Sequence, residues 1–380
     1  MSGPDLVGST RVVAPDALAE CAAQCHSTAR GLIVVGWGNA LSSAALDALA
    51  EATGWPVLAD AISNRRDHAD RVRAYEALVR HAPFADAHRP DLVVRFGAPL
   101  TSKIVTQWLD ASVAQIVVDP HDRRLDPHRA AATVVVADDD RFALDLSAAV
   151  AALGGASDAG AWSRSWQQAD AAAARALDGV LDLHPTSGAA VVRTVAATAP
   201  ADAHLLVASS MAVRDLEWFS APRSDITVHA NRGANGIDGL VATALGIAHA
   251  SARTTIAVLG DLAFLHDAAS LHAAPHGTNA VVVVVDNSGG GIFSFLPQAD
   301  LCDADEFEAL FGTPQSVDLV AVAQAHGARA RRVDAADLEA TLADAARTPG
   351  LDVLVVPALG RADDVAVHRA AWAAAADELR

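Results

Sequence analysis

The sequence predicts two doubly wound α/β domains with mainly parallel sheets, over residues 1–185 and 186–380. Three observations carry this expectation. Short β-branched runs alternate with longer Ala-rich stretches along the whole chain, the rhythm of strand–helix–strand units. The apolar runs are continuous rather than alternating, as strands buried on both faces require. A length of 380 residues exceeds what one ordinary core serves, and 52% hydrophobic against 19% charged residues leaves apolar surface enough for two.

The elements follow in order. An Ala-rich helical pattern over 17–30 carries Cys21, Cys25 and His26; cysteines four apart there pack as small apolar groups rather than as metal ligands. Strands are expected at 32–35, 57–59, 92–96, 116–118 and 133–136, with helices between them at 41–52 and 101–109. Gly36-Trp37-Gly38 follows the first strand but lacks the third glycine of a dinucleotide-binding turn, which disfavours a nicotinamide oxidoreductase. Arg65, Arg66, Arg71 and Arg73 read as a solvated face balanced by Asp67 and Asp70. A linking helix bears Trp162 and Trp166. His184-Pro185 then breaks the chain, and Thr186-Ser187 starts a new helix near the domain boundary. The second half restarts the alternation with strands at 205–208, 226–229, 255–259, 281–285, 331–333 and 353–356. Helices are expected at 266–274 and 365–379.

Charge and cysteine usage exclude several classes. Lys+Arg 28 against Asp+Glu 46 gives −18, and Lys103 is the one lysine. So acidic a surface repels nucleic acid and anionic membranes, and any anionic substrate must be held by placed arginines. Three cysteines, Cys21, Cys25 and Cys302, make no disulfide framework. The aliphatic run 280–285 is far below the ~20 residues of a membrane span. The first ten residues carry no basic and apolar export pattern, so a cytoplasmic protein is expected.

The chemistry concentrates at two strand ends in the second half. The strand 255–259 runs into Gly260-Asp261-Leu262, and the strand 281–285 into Asp286-Asn287-Ser288-Gly289-Gly290-Gly291. If the strands are parallel neighbours, Asp261 and Asn287 meet at the carboxyl edge of the sheet, where α/β folds bind ligands. A carboxylate, an amide oxygen and a loop carbonyl are hard donors suited to Mg²⁺, and the glycines let backbone N–H groups approach a diphosphate. The plainer reading, that Asp261 caps the next helix and the glycines form a loop, fits these few residues equally well.

Together these residues resemble the metal–diphosphate motif of thiamine-diphosphate enzymes, Gly-Asp followed some two dozen residues later by Asn. Further blocks sharpen the resemblance: Ser210-Met211-Ala212-Val213-Arg214, Asn231-Arg232-Gly233-Ala234-Asn235-Gly236-Ile237-Asp238-Gly239, and Ile292-Phe293-Ser294-Phe295-Leu296-Pro297 after the three glycines. With Leu262 after the Asp, they look like the menaquinone-pathway family of 2-succinyl-5-enolpyruvyl-6-hydroxy-3-cyclohexene-1-carboxylate synthases. The first half matches more loosely, at 97–108 and at Val118-Asp119-Pro120-His121-Asp122-Arg123-Arg124-Leu125-Asp126-Pro127.

That resemblance implies a central domain followed by a diphosphate-binding domain, with thiamine diphosphate and Mg²⁺ or Mn²⁺ as cofactors. Asp261, Asn287 and the Gly289 carbonyl would bind the metal, and Gly260, Leu262 and Ser288 would surround the diphosphate. Gly236 and Ile292 would also contact the cofactor. Ile237 would wedge under it and bend it, bringing the aminopyrimidine nitrogen near the thiazolium C2–H. Ser210, Arg214, Arg232, Phe293 and Leu296 would line the pocket for 2-oxoglutarate and isochorismate. The family's Lys-Arg pair is replaced by Lys103-Ile104, so no central-domain contact is assigned. The family's activating glutamate lies in an N-terminal pyrimidine-binding domain, and the chain is expected to begin after that domain. No catalytic residue is therefore assigned, and the chain is expected to form a homo-oligomer or to pair with a chain carrying that domain. Two other readings stay open: another thiamine-diphosphate enzyme, such as a 2-oxoacid decarboxylase or acetolactate-type synthase, and a non-catalytic binding module.

Overall fold

The computed structural model describes residues 10–380 except 69, 111, 124, 128, 157–158, 234–235, 252 and 275–276. Arg124, Ala234 and Asn235 of the blocks quoted above, and most of the N-terminal stretch, thus lie outside the described residues. The chain forms two compact units, Met1–Asp170 and Ala171–Arg380, and the long helix Ala159–Leu183 contributes to both.

In the first unit, β1 (Gly31–Val35), β2 (Val57–Ala59), β3 (Leu92–Phe96), β4 (Ala114–Val118) and β5 (Ala131–Val135) form one parallel sheet in the order β2-β1-β3-β4-β5. β1 and β3 are buried along their whole length, which is why their sequences read as unbroken apolar runs. On one face Leu46, Leu49, Phe142 and Leu146 pack with Ile33, Val35, Val94 and Phe96. Cys21 and Cys25 belong to the same core as packed free thiols, and burial pushes Cys25 up to about 12. Arg66 and Arg71 correct the solvated face expected for them. They are 6% and 3% exposed, and Arg71 pairs with Asp47 and Asp67. For Arg71 the counter-charge comes from Asp47, outside the run, as well as from Asp67 within it, so its guanidinium can fold inward.

The winding of this sheet reverses between β1 and β3, the place where doubly wound folds open a ligand crevice. Here the crevice is filled by backbone. Gly36 N–H donates to Phe96 O at 2.9 Å and Ala98 N–H to Trp37 O at 3.0 Å. A Cβ on Gly36 would fall inside 3.0 Å of the Ala98 carbonyl.

The second unit contains β6 (His204–Val207), β7 (Thr227–His229), β8 (Thr255–Gly260), β9 (Asn279–Asp286), β10 (Arg329–Arg332) and β11 (Gly350–Pro357). Their order is β10-β11-β9-β8-β6-β7, all parallel. The edge strand β10 is built of arginines. Arg329 and Arg331 reach Asp352 on β11 at 2.6 and 3.6 Å, a charged edge that discourages further strand addition. Ser187 caps helix Gly188–Thr198 by accepting from Ala190 N–H at 3.1 Å, as its position after the His184-Pro185 break predicts. The helix expected at 266–274 begins earlier. Helix Asp261–Asp267 starts directly at the end of β8, and 266–274 is instead its last turn followed by the 3₁₀ segment Ala268–Ala273. Gly260, in an extended conformation, lets the chain enter the helix without a loop.

Candidate functional site

The winding of the second sheet reverses at β6, between β7 and β8, and there the crevice stays open. A cavity of about 290 Å³ lies beyond the carboxyl ends of β6, β8 and β9. The three segments that leave these strands line it: residues 209–212, then 259–263, then 285, 287 and 289–293.

Asp261 and Asn287 reach the cavity from adjacent strands. β8 and β9 pair in parallel with Gly260 opposite Val285, so the residues just beyond them emerge side by side. Asp261 is 3% exposed. Its Oδ1 accepts from Leu262 N–H at 2.8 Å, and its Oδ2 from Gly289 N–H at 2.7 Å. Burial pushes the carboxyl up to about 6; the two backbone donors oppose this, Asp286 adds to it and Arg361 opposes it. The carboxylate therefore caps its helix, fixes the glycine loop and faces a cavity at once.

The loop after β9 depends on its glycines. Ser288 and Gly289 have φ of +59° and +127°. Gly290 N–H donates to Gly312 O at 2.8 Å, and Cβ atoms on Gly289 or Gly290 would collide with the backbone of residues 311–312. The Gly289 carbonyl accepts from Gly291 N–H at 2.9 Å and keeps a second lone pair. A Cβ on Gly291 would press on Asn287 Nδ2 at 2.6 Å, so glycine there sets the amide's orientation. Asn287 Oδ1 is buried with no hydrogen-bond partner. An orphaned acceptor beside a carboxylate is the donor set a hard cation completes. The residues present fit a metal-bound diphosphate.

Among the residues expected to form the site, the cavity gathers Ser210, Gly236, Ile237, Gly260, Asp261, Leu262, Asn287, Gly289, Ile292, Phe293 and Leu296. Ile237 and Leu296 are 39% and 38% exposed, large apolar side chains at its mouth. Ser288 lies instead in a neighbouring hollow with Asp261, Asp286, Asp318 and Arg332. Arg214 and Arg232 are not among the lining residues. Arg214 is turned onto its own helix start, donating to the Ser210 and Ser209 carbonyls at 2.6 and 3.3 Å. Sequence reasoning did not find Gly188, Asp215 and Asp364, which also line the cavity. Each sits in an ordinary helical pattern with no strand end to mark it.

Family models match nearly the same ground. One described as the middle domain of thiamine pyrophosphate enzymes matches residues 12–207, and the C-terminal TPP-binding domain of thiamine pyrophosphate enzymes matches 208–356. The chain belongs to the thiamine pyrophosphate enzyme family. Asp261, Asn287 and the glycine loop all lie within the part matched by the TPP-binding domain. Among relatives, a 2-succinyl-5-enolpyruvyl-6-hydroxy-3-cyclohexene-1-carboxylate synthase of Myxococcus xanthus is 43% identical, over 85% of this chain and 56% of its own length. The synthase of the same name from Chloroflexus aurantiacus is 34% identical, over 98% of this chain and 64% of its own length. The chain thus spans about three fifths of these relatives. A solved structure described as a thiamin diphosphate-dependent enzyme of Mycobacterium smegmatis shares the fold, with a TM-score of 0.62 and 21% identity. That match covers 94% of this chain and 67% of the other. Among the described residues, no helix is long and apolar enough to cross a membrane.

Proposed function

We propose that this chain is the cofactor-binding part of a 2-succinyl-5-enolpyruvyl-6-hydroxy-3-cyclohexene-1-carboxylate synthase. The reaction decarboxylates 2-oxoglutarate and adds the remaining four-carbon unit to isochorismate. One observation carries the reading: the unpartnered Asn287 Oδ1 beside the Asp261 carboxylate, at the end of two paired strands in a TPP-binding domain. Relatives named as this synthase, at 33–43% identity, support the substrates.

Asp261, Asn287 and the Gly289 carbonyl would hold Mg²⁺ or Mn²⁺, and the ion would bind the diphosphate oxygens. When bound, thiamine diphosphate supplies the electron sink that lets a 2-oxoacid lose carbon dioxide. The chain's own residues do the rest. The glycine loop keeps Cβ atoms away from the diphosphate. Ile237, Phe293 and Leu296 would give the pocket an apolar wall that limits water beside a bound cofactor. Arg214 and Arg232, turned inward from their present positions, would receive substrate carboxylates through guanidinium forks, with the Ser210 hydroxyl donating a further hydrogen bond.

Calorimetric titration with thiamine diphosphate tests the reading. Binding should require Mg²⁺ or Mn²⁺, and Asp261→Ala should abolish the metal requirement along with most of the affinity. Equal affinity with and without the Asp261 carboxylate, or with and without metal, refutes the assignment.

A further inference from the structure

Behind the cavity wall lies a buried polar cluster that the cofactor and metal readings leave unused. His368, on helix Arg361–Asp377, is 0% exposed, and its Nε2 lies 2.7 Å from Asp215 Oδ1. Its Nδ1 lies 2.8 Å from the Asp364 main-chain carbonyl and 3.7 Å from the Asp364 carboxylate. A carbonyl oxygen only accepts, so Nδ1 carries a proton. The Nε2–Oδ1 contact needs a second proton between its atoms. With carboxylates on both sides, that proton resides on the ring, and the group is an imidazolium. Burial opposes the charge, but Asp215 and then Asp364 outweigh it and hold the imidazole above its ordinary value.

Among the described residues, the groups that face His368 come from three elements around the cavity: helix Met211–Phe219, the 291–295 turn and its own helix. Asp215 comes from helix Met211–Phe219, and Asp364 from its own helix. The rings of Trp218, Phe219, Phe295 and Trp372 surround it, with centroids between 4.9 and 6.1 Å away. Asp215 and Asp364 line the cavity. Asp364 Oδ1 also accepts from Gly188 N–H at 2.8 Å, at the start of helix Gly188–Thr198. Phe295 ends the turn that carries Ile292 and Phe293, and Asp215 directly follows Arg214.

We infer that His368 is a positioning residue: its imidazolium fastens helix Met211–Phe219, the 291–295 turn and the start of helix Gly188–Thr198 to one another, and so holds the ligand cavity in its binding shape. The inference rests on reading that cavity as the cofactor site. A neutral side chain at 368 cannot satisfy both carboxylates. Left unpaired and buried, they separate or take up protons, and either response moves the helix that bears Ser210 and Arg214.

The test uses the full chain. In the ligand-free protein, long-range ¹H–¹⁵N NMR of the histidine side chains should find both His368 nitrogens protonated at about pH 7, where an ordinary histidine has lost one of its protons. Asp215→Asn should lower the pH at which one of those protons is lost. His368→Gln should weaken Mg²⁺-dependent thiamine diphosphate binding about tenfold and lower the melting temperature as well. The double variant His368→Gln/Asp215→Asn removes the opposed charges together, so its melting temperature should recover while its affinity stays weakened. A merely structural histidine would let both recover. The inference is overturned by a His368 carrying one ring proton at about pH 7, or by a double variant that binds as the wild type does. A wild-type chain that binds no thiamine diphosphate refutes the functional reading instead, and the NMR result then decides the role of His368 alone.

Discussion

Gly289→Ala puts the loop argument at risk with a single methyl group. The residue has φ +127°, where a side chain is strained by about 1–3 kcal/mol. Its new Cβ would also lie inside 3.0 Å of the Gly312 carbonyl, an atom of backbone that cannot rotate away. Relief requires the 288–290 backbone to move, and the bond most exposed to that movement is Gly289 N–H to Asp261 Oδ2 at 2.7 Å. A hydrogen bond to a charged group is worth about 1.5–3 kcal/mol, so thiamine diphosphate affinity should fall by a factor of about 10–150. The strain should lower the melting temperature by several degrees, at about 2–4 °C per kcal/mol for a unit of this size. Titration calorimetry in excess Mg²⁺ and differential scanning calorimetry read the two effects. Gly246→Ala is the control: it lies within helix Leu240–Ser251 with nothing near its Cβ, and should stabilise by up to about 1 kcal/mol. If Gly289→Ala bound cofactor within about twofold of wild type, the loop would not hold the diphosphate as described.

Other perturbations test separate parts of the structure. Asn287→Ala should weaken metal-dependent cofactor binding less than Asp261→Ala does, because water can replace one neutral ligand; titration of both variants checks the order. Arg232→Lys should reduce use of the 2-oxoacid by about 1.5–3 kcal/mol in kcat/KM without altering the melting temperature, since a point charge cannot replace a fork. Unchanged kinetics with lowered melting would make Arg232 structural. Asp139, fully buried, has its carboxyl pushed by burial from 3.8 up to about 6. The native state therefore holds the proton longer, and stability falls as pH rises from 3.8 to about 6, by about 3 kcal/mol in all. Asp139→Asn keeps an acceptor for Ala40 N–H but cannot ionise. It should raise the melting temperature at about pH 7.5, and the gain should vanish near about pH 4.

The central strands are legible because they are buried on both faces and written in Val, Ile and Leu; β9, with valine at every position of 281–285, is the clearest case. The edge strand β10 begins at Arg329, two residues before the expected 331–333, because its arginines carry ion pairs rather than apolar contacts. The helix after β8 begins at Asp261, five residues before the expected 266–274. Its first turn, Asp-Leu-Ala-Phe, looks like a strand exit when Gly260 precedes it. Asp261 and Asn287 could be found because strand ends in parallel sheets mark a place in space. Asp215, Asp364 and His368 could not, since Asp215 and His368 stand 153 positions apart and each occupies an unremarked turn of a helix. The burial of Arg66 and Arg71 was hidden for a similar reason, as Asp47 lies 24 positions from Arg71.

β9 is paired along its full length with β11 and along most of it with β8, at the centre of the second sheet. Its β11 partner lies more than sixty residues downstream, so a chain still emerging from synthesis has the loop of Asn287 before the strand that pairs with β9 along its whole length. The amides of Val282, Val283 and Val284 are fully buried and can exchange with solvent only when the sheet comes apart as a whole. The same event erases the alignment of Asp261 with Asn287. Hydrogen exchange at these three valines therefore reports the free energy that keeps the ligand cavity in existence, and saturating ligand should slow it by the full linkage term.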